Sequence, residues 1–373
     1  MKKIFSISLM FLLIFFISIQ VHADKIKIKT VDGVEVIENP KDPAPPKGTL
    51  SKIILTQEFS IGEGEYDEDM FAELTSLDVD SDGNIYILDR KEKKVKIFDS
   101  AGKFVRKFGR DGQGPGEMNV PITIQVTPDS ELVVSDALNQ RLMYYSLEGE
   151  FIREMSTADK ALGLTLPIVD SQGNMIGQQI VLSEDKVMRE VRKYDSELNT
   201  LFTITSIDNT NLIQGKINPF QVVIFYQLGK DNTIYYSNLE KYEIRVLNSE
   251  GKLVRRIMKD YQAVKVTEED KEDFFERLGE VPGPVKDRIE FPKVYPPYVN
   301  FTFDEEWRLF VRTYEKGKEE REFFFDVFDT EGRYIANIPF KGDPRVWKGQ
   351  KLYAVEEDED GYQMLKIYSV RWE

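Results

Sequence analysis

Short apolar runs alternate with polar turns from about residue 51 to the carboxyl terminus. One hairpin pattern, in which a turn of Asp or Asn with Ser, Thr, Glu and Gly joins two apolar runs, recurs along the chain. Its copies are KIFDSAGKFVRKFG (96–109), MYYSLEGEFIREM (143–155), KYDSELNTLFTI (193–204), RVLNSEGKLVRRI (245–257) and DVFDTEGRYIANI (326–338). Each copy predicts two antiparallel strands joined by a tight turn.

A second hairpin pattern precedes each of these copies. Its turn positions are Gly83, Ser130, Gly173, Asn232, Glu306 and Gly349, which are separated by 47, 43, 59, 74 and 43 residues. A period of about 40 to 50 residues with four strands per repeat is typical of propeller blades. The sequence therefore predicts an all-β fold, a six-bladed β-propeller, with insertions in the longer repeats.

The last repeat lacks the run for its outermost strand, because the chain ends at KIYSVRWE (366–373). A strand pattern without a partner, SKIILTQEFSI (51–61), lies before the first blade. Pairing it with the last blade would satisfy two exposed strand edges. We therefore expect an N-terminal strand on the last blade to close the propeller.

The first 23 residues have the pattern of a signal peptide. Lys2 and Lys3 precede an apolar stretch over residues 4–19, and small residues at 21 and 23 predict cleavage before Asp24. No second long apolar stretch follows, so we expect no membrane span after cleavage. No cysteine is available for lipoprotein processing. The expected location is periplasmic or extracellular.

Two segments lie outside the repeats of the predicted propeller domain, residues 51–373. Residues 24–50 predict a small hairpin about Asp32-Gly33, followed by a proline-rich linker. Residues 261–297 form an insertion in which Thr267 begins a capping-box helix that ends at Gly279. A long insertion of this kind is suited to a lid or a binding loop, or equally to an edge cover.

Composition removes several classes of function. The chain carries 65 acidic and 50 basic side chains, a net charge of −15, which argues against nucleic-acid binding. It has no cysteine, and its one histidine, His22, lies in the segment predicted to be removed. Sulfur-based metal sites and Ser-His-Asp triads are thereby excluded from the processed chain. Catalysis would have to use carboxylates, lysine, tyrosine or a cation bound by oxygen atoms.

One acidic turn resembles a calcium-binding loop. Asp78, Asp80 and Asp82 are followed by Gly83 and by Asp89 at the twelfth position, close to the spacing of an EF-hand loop. Calcium is the cofactor that such carboxylates could hold. The twelfth residue is Asp rather than Glu, however, and strands rather than helices flank the loop. The spacing therefore favours a hairpin turn that uses Asp and Gly for its backbone geometry.

Five polar residues follow the second strands of the first two blades and should share one face of the disc. They are Asp89, Arg90, Asp136, Asn139 and Arg141. Two interpretations stay open for them. Their side chains could hydrogen-bond the backbone of neighbouring turns, or they could bind a ligand on that face.

The first blades resemble a known family. The runs DGNIYILD (82–89), KIFDSAGKFVRKFG (96–109) and GRDGQGPGEMNVP (109–121) are similar to NHL-repeat six-bladed propellers. Over residues 51–373 the chain resembles secreted bacterial propeller proteins of uncharacterised function. The resemblance implies the fold and leaves the activity open. Later blades depart from the pattern at the positions corresponding to Asp89 and Asp136, where they carry Gln178, Asn238 and Arg312.

Three functions agree with these observations. The favoured hypothesis is a non-catalytic binding module that holds a protein, peptide or glycan ligand on one face, with the 261–297 insertion. The second is a calcium-dependent hydrolase or lactonase similar to gluconolactonase propellers, in which a channel cation polarises a carbonyl group. The third is a structural subunit of an envelope assembly.

Overall fold

The computed structural model describes residues 25–63, 70–158, 164–183, 185–211, 215–220, 224–237, 239–279, 283–358 and 360–373. The predicted signal peptide, residues 1–23, lies outside these residues. Within the described part, no helix combines the length and the apolar character needed to cross a bilayer. The strands form six antiparallel four-stranded blades, and one of these sheets carries two additional strands.

The strands follow one another in blade order. Three strands precede the first complete blade: β1 (Lys27–Val31), β2 (Val34–Asn39) and β3 (Ile53–Ile61). Blade 1 contains β4 (Leu74–Val79), β5 (Ile85–Asp89), β6 (Lys94–Phe98) and β7 (Phe104–Phe108). Blade 2 contains β8 (Pro121–Val126), β9 (Glu131–Asp136), β10 (Arg141–Ser146) and β11 (Phe151–Ser156). Blade 3 contains β12 (Thr165–Val169), β13 (Met175–Leu182), β14 (Val187–Tyr194) and β15 (Thr200–Asp208).

The second half of the propeller contains the insertion. Blade 4 contains β16 (Phe225–Leu228), a 3-10 turn (Lys230–Asn232), β17 (Ile234–Ser237), β18 (Glu243–Leu247) and β19 (Leu253–Lys259). Two helices follow, α1 (Glu268–Leu278) and α2 (Gly283–Lys286). Blade 5 contains β20 (Asn300–Phe303), β21 (Leu309–Lys316), β22 (Glu322–Phe328) and β23 (Tyr334–Lys341). Blade 6 contains β24 (Asp343–Lys348), β25 (Lys351–Glu357) and β26 (Gln363–Trp372).

Strand β3 completes blade 6. It pairs antiparallel with β26, from Ile61 opposite Leu365 to Ile53 opposite Trp372. The last blade is thus built from both ends of the described chain, as the missing outermost run in the sequence led us to expect. Both strands gain backbone hydrogen bonds that an open edge would lack.

The β1–β2 hairpin turns at Asp32-Gly33 and adds to the outer edge of blade 4. Strand β2 runs parallel to β19, with Glu35 opposite Arg255 and Asn39 opposite Lys259. The sequence predicts the hairpin but not this partner, because hydrophobic alternation identifies a strand without specifying which distant edge it will pair with. The proline-rich linker then passes blade 5 and reaches blade 6.

The acidic hairpin turns share one hydrogen-bonding pattern. A side-chain oxygen of the first turn residue accepts hydrogen bonds from the backbone N–H groups two and four residues later. Complete copies of this pattern begin at Asp80, Asp99, Ser146, Asp170, Asp195, Asp329 and Asp358. The repeated Asp in the sequence therefore serves turn geometry.

The hydrophobic core is divided among the interfaces between blades. Six buried clusters are present, and each joins side chains from two neighbouring blades. For example, Tyr86 and Leu88 of blade 1 pack with Leu132 and Val134 of blade 2. Side chains alternate between the two faces of a sheet, and both faces pack on neighbouring blades. A central strand such as β5 is therefore buried along its whole length.

Candidate functional site

The disc has two faces that differ in their loops. Loops that join second to third strands, and each blade to the next, lie on what we call the insertion face, because residues 261–297 are among them. Tight turns between first and second strands, and between third and fourth strands, lie on the opposite turn face. This assignment follows from the antiparallel order of each blade.

Asp89 and Asp136 lie on the insertion face, and both are fully buried. Asp89 accepts hydrogen bonds from the N–H groups of Ala72 at 2.8 Å and Glu92 at 3.0 Å. Asp136 accepts from those of Asn119 at 3.0 Å and Val120 at 2.9 Å. These carboxylates fix the loop that enters each blade to the end of its second strand.

The other three polar residues of this group also have local partners. Arg90 donates to Glu73 at 2.9 Å, and the Asn139 amide donates to Asp136 at 2.7 Å. Arg141 donates to the carbonyl oxygens of Gly114 at 3.0 Å and Glu117 at 2.8 Å. The five residues therefore stay within their own blades, and none of them lines the cavities described below.

Asp78, Asp80 and Asp82 lie towards the turn face. Asp80 accepts hydrogen bonds from the N–H groups of Asp82 and Asn84 and, at 2.9 Å, from the Tyr86 hydroxyl. Asp78 instead reaches the next blade and accepts from the Val126 N–H at 2.8 Å. Across the described residues, no group of three or more His, Cys, Asp or Glu side chains is arranged to hold a metal ion.

An aromatic cluster fixes the insertion to the disc. Phe220, from the loop before blade 4, contacts Phe274 of α1, Phe291, Tyr295 and Tyr314 of β21, with ring centroids 4.8–6.4 Å apart. Tyr295 and Tyr314 stack at 4.2 Å with an angle of 15° between their rings. Aromatic pairs of this kind add about 0.5–1.5 kcal/mol each beyond their buried area. The insertion is thus held as a packed element.

Polar contacts hold helix α1 in the same position. Thr267 is its N-cap and forms a reciprocal capping box with Asp270, and Gly279 is its C-cap with a φ of 70°. Lys316, at the end of β21, donates to Asp270 at 3.0 Å. Burial raises the pKa of Asp270, but hydrogen bonds from Thr267 and Lys316 outweigh it and lower the pKa overall. Asp270 therefore stays ionised and links the helix to blade 5.

The insertion is also joined to the loop between blades 3 and 4. The N–H of Ile217 donates to the Arg288 carbonyl at 2.7 Å, and the N–H of Glu290 donates back to the Ile217 carbonyl at 2.9 Å. Arg288 donates to the carbonyl of Gly215 at 2.9 Å. These bonds hold the loop before blade 4 (residues 215–220) against the insertion, so that the loop and the insertion form two facing walls.

A cavity of about 630 Å³ lies between these two walls. Its lining combines aromatic, proline and polar residues, among them Asn209, Lys216, Phe220, Glu240, Tyr261 and Tyr295. A volume of this size is within the range of ligand-binding clefts in proteins. The cavity therefore makes the insertion face the candidate functional site.

Asn209 is the most informative polar residue in the cavity lining. It is 8% exposed, and its amide nitrogen is buried without a hydrogen-bond partner among the described residues. A buried donor without a partner costs about 1–3 kcal/mol, so such groups are rare in folded proteins. The Asn209 amide is thus a donor for which the described residues supply no acceptor.

The pKa of Asp208, the neighbouring acid, is shifted in the direction opposite to that of a general acid. Hydrogen bonds from Thr210 lower its pKa, which keeps the carboxylate ionised. A general acid working near neutral pH needs the opposite shift. Among the described carboxylates, those with raised pKa values are Asp78 and Asp304, and both lie towards the turn face.

Two further cavities flank blades 5 and 6. One of about 180 Å³ opens on the insertion face and is lined by Arg277, Arg312, Arg345 and other charged residues. Another of about 270 Å³ lies on the turn face beside Trp347 and Trp372. Sequence reasoning did not select these residues, apart from noting Arg312 as a departure from the blade pattern. The departure at Arg312 and the 261–297 insertion are the two features of the sequence that point to these cavities.

Comparison with known proteins places the fold in a family. A family model described as a 6-bladed beta-propeller, DUF5128, matches residues 67–280. The chain belongs to this family. Its relatives include the protein brain tumor of Drosophila melanogaster, 25% identical over 151 residues, and the human E3 ubiquitin-protein ligase NHLRC1, 28% identical over 68 residues. These matches span 39% and 18% of this chain but only 14% and 17% of those relatives.

Two solved structures from Bacteroides share the fold of this 6-bladed beta-propeller family member. A Bacteroides fragilis NCTC 9343 protein aligns with a TM-score of 0.55 at 14% identity, covering 91% of this chain and 99% of its own. A DUF4221 member from Bacteroides vulgatus aligns with a TM-score of 0.53 at 12% identity, covering 87% and 100%. At these identities the likeness concerns the fold alone.

Proposed function

We propose that this protein is a secreted, non-catalytic binding module that holds a protein, peptide or glycan ligand on its insertion face. One observation carries the proposal: the buried Asn209 amide, which has no partner among the described residues, lines the largest of the cavities described here. The mixed aromatic and polar lining suits an extended ligand with both apolar and hydrogen-bonding groups. The insertion supplies one wall and fixes its position.

The proposal is tested with peptide and glycan arrays probed with the purified protein, followed by calorimetry on the strongest hit. Asn209→Leu removes the donor and replaces it with an apolar side chain that has the same number of non-hydrogen atoms and the same branching. The free energy of unfolding should then stay the same or rise, because an unpaired buried polar group is lost. Affinity for the hit should fall about tenfold or more.

Asn199→Ala is the matched control, since Asn199 lies in a turn on the opposite face. It should bind the hit as the wild type does. Equal affinity of the wild type and Asn209→Leu would contradict the proposed site. Turnover of the hit, followed by mass spectrometry, would contradict the non-catalytic part of the proposal.

A further inference from the structure

The cavity between blades 5 and 6 on the insertion face concentrates positive charge on an acidic protein. Five cationic side chains line it: Arg277 of α1, Arg312 of β21, Arg321, Lys341 at the end of β23, and Arg345 of β24. The whole chain carries a net charge of −15. A cationic cluster in this setting produces a local positive potential that attracts anions.

Acidic residues in the same cavity do not neutralise all of these cations. Asp343 pairs with Arg345 at 3.0 Å, and Glu357 pairs with Arg321 at 2.8 Å. Glu356 pairs with Lys366 at 3.0 Å and also accepts a short hydrogen bond from the Tyr368 hydroxyl. Among the described residues, Arg277 and Lys341 have no acidic partner, and Arg312 has only Asp343, which it shares with Arg345.

Arg312 is the central group of the cavity. Its side chain is 20% exposed, and its nearest acid, Asp343, lies 3.8 Å away. Its guanidinium donates no hydrogen bond to any residue that the structure describes, and its Nε is buried without a partner. The guanidinium carries five N–H donors in a rigid fork, and no described residue accepts a hydrogen bond from them.

Packing fixes the orientation of this guanidinium. Its carbon lies 4.5 Å from the centroid of the Phe323 ring, a cation–π contact. Burial lowers the pKa of Arg312; the charge of Asp343 opposes this shift, whereas the like charges of Arg345 and Arg277 add to it. An anion between these groups would supply the missing acceptors and reduce their mutual repulsion.

We propose that this cavity, centred on Arg312, is an anion-binding subsite for a carboxylate, sulfate or phosphate group of the ligand. The subsite lies on the same face as the Asn209 cavity, and helix α1 contributes Arg277 to it while Phe274 of α1 packs in the aromatic cluster. Its assignment to the ligand rests on the proposed function. Anion binding itself does not, and is tested separately.

The test measures thermal unfolding of the purified protein with sodium sulfate, phosphate or acetate, against sodium chloride at equal ionic strength. A bound anion raises the unfolding temperature, because it stabilises the folded state by RT ln(1 + [anion]/Kd). With at least one oxyanion we expect a rise that grows with the logarithm of its concentration and is smaller in the Arg312→Gln variant. The comparison with that variant separates binding from the general stabilisation that sulfate and phosphate give any protein. A rise in unfolding temperature with acetate alone would identify a subsite for carboxylates. A rise with sulfate or phosphate would identify a subsite for tetrahedral anions. No rise beyond chloride with any of them overturns the proposal.

Three variants identify the site. Arg312→Gln should weaken the apparent affinity about tenfold or more, since it removes hydrogen bonds to a charged group. Arg277→Gln, on an exposed helix surface, should weaken it less and cannot disturb the core. Lys107→Gln, an exposed residue of β7, should bind as the wild type does. Equal affinity of all four proteins would overturn the proposal.

The Arg312 variant also has a readout that does not depend on anions. Replacing a partly buried charge that has no hydrogen-bond acceptor should leave the free energy of unfolding in chloride unchanged or higher. If Arg312→Gln unfolds, Arg277→Gln still tests the site. If the anion binds but no array ligand does, the subsite stands while the proposed function fails.

Discussion

Acidic side chains in this propeller link neighbouring strands and blades, and the half-buried Asp78 shows the electrostatic consequence. It lies on the inner strand of blade 1 and accepts a hydrogen bond from the Val126 N–H of blade 2. Burial raises its pKa to about 6, although hydrogen bonds from Val126 and Val79 act against the shift. A raised pKa means that the folded state favours the protonated acid. Its contribution to stability is therefore present below about pH 4 and lost as the pH rises through 6.

Asp78→Asn should remove this pH dependence while keeping an acceptor for Val126. The free energy of unfolding of the variant minus that of the wild type should become more positive by about 1–3 kcal/mol between pH 4 and pH 7. Urea unfolding at both pH values measures it. The exposed Asp129→Asn is the control. A difference for Asp78→Asn no larger than that of the control contradicts the assignment.

At the scale of elements, the amino-terminal segment connects three blades. Asn39, at the end of β2, is 3% exposed. Its amide donates to the carbonyls of Met258 in blade 4 at 3.0 Å and Gly332 of blade 5 at 2.9 Å, and its oxygen accepts from the Tyr334 N–H at 2.8 Å. The chain then continues to β3 in blade 6. One side chain thus joins the added hairpin to two neighbouring blades.

Asn39→Ala should destabilise the fold by about 2–4 kcal/mol, because it leaves buried backbone groups without partners. Equilibrium urea unfolding gives the value. Asn199→Ala, which removes one exposed side-chain bond to Asp195, should cost well below half as much. A loss for Asn39→Ala within about 0.5 kcal/mol of wild type, the range of ordinary surface substitutions, would show that the hairpin is not a structural link.

Sequence patterns predicted the elements well where the information is local. The same turn pattern recurs six times, at steps of 43 to 74 residues, so the six blades follow from the sequence. The capping residues Thr267 and Gly279 likewise mark the ends of α1. The parallel pairing of β2 with β19 did not follow, because it joins residues more than 200 positions apart through backbone atoms. The cavities at Asn209 and Arg312 also could not be predicted from the sequence, because their linings combine side chains from separate blades.

For the molecule as a whole, the two faces differ in structure. The turn face consists largely of tight turns whose acidic side chains hydrogen-bond their own backbone. The insertion face carries the large cavity, the cationic cavity and the aromatic cluster that holds residues 261–297. Rigid blades that position variable loops on one face are a common basis for binding sites.

Calcium binding by the whole molecule can be tested directly with a chelator. Chelator added to the purified protein should leave the unfolding temperature unchanged, since no described carboxylate group is arranged to hold an ion. Ions bound to the folded state would raise that temperature before chelation. A clear fall on adding chelator would favour the calcium-dependent hydrolase over the binding module.

The most direct test of the binding face is hydrogen–deuterium exchange of the protein with and without the strongest array hit. We predict that protection is confined to the insertion face, with the largest changes at residues 206–211, 215–220 and 292–297. Peptides that cover the turns at Asp99, Asp195 and Asp329 should exchange at unchanged rates. Protection centred on the turn face, for example beside Trp347 and Trp372, would contradict the account.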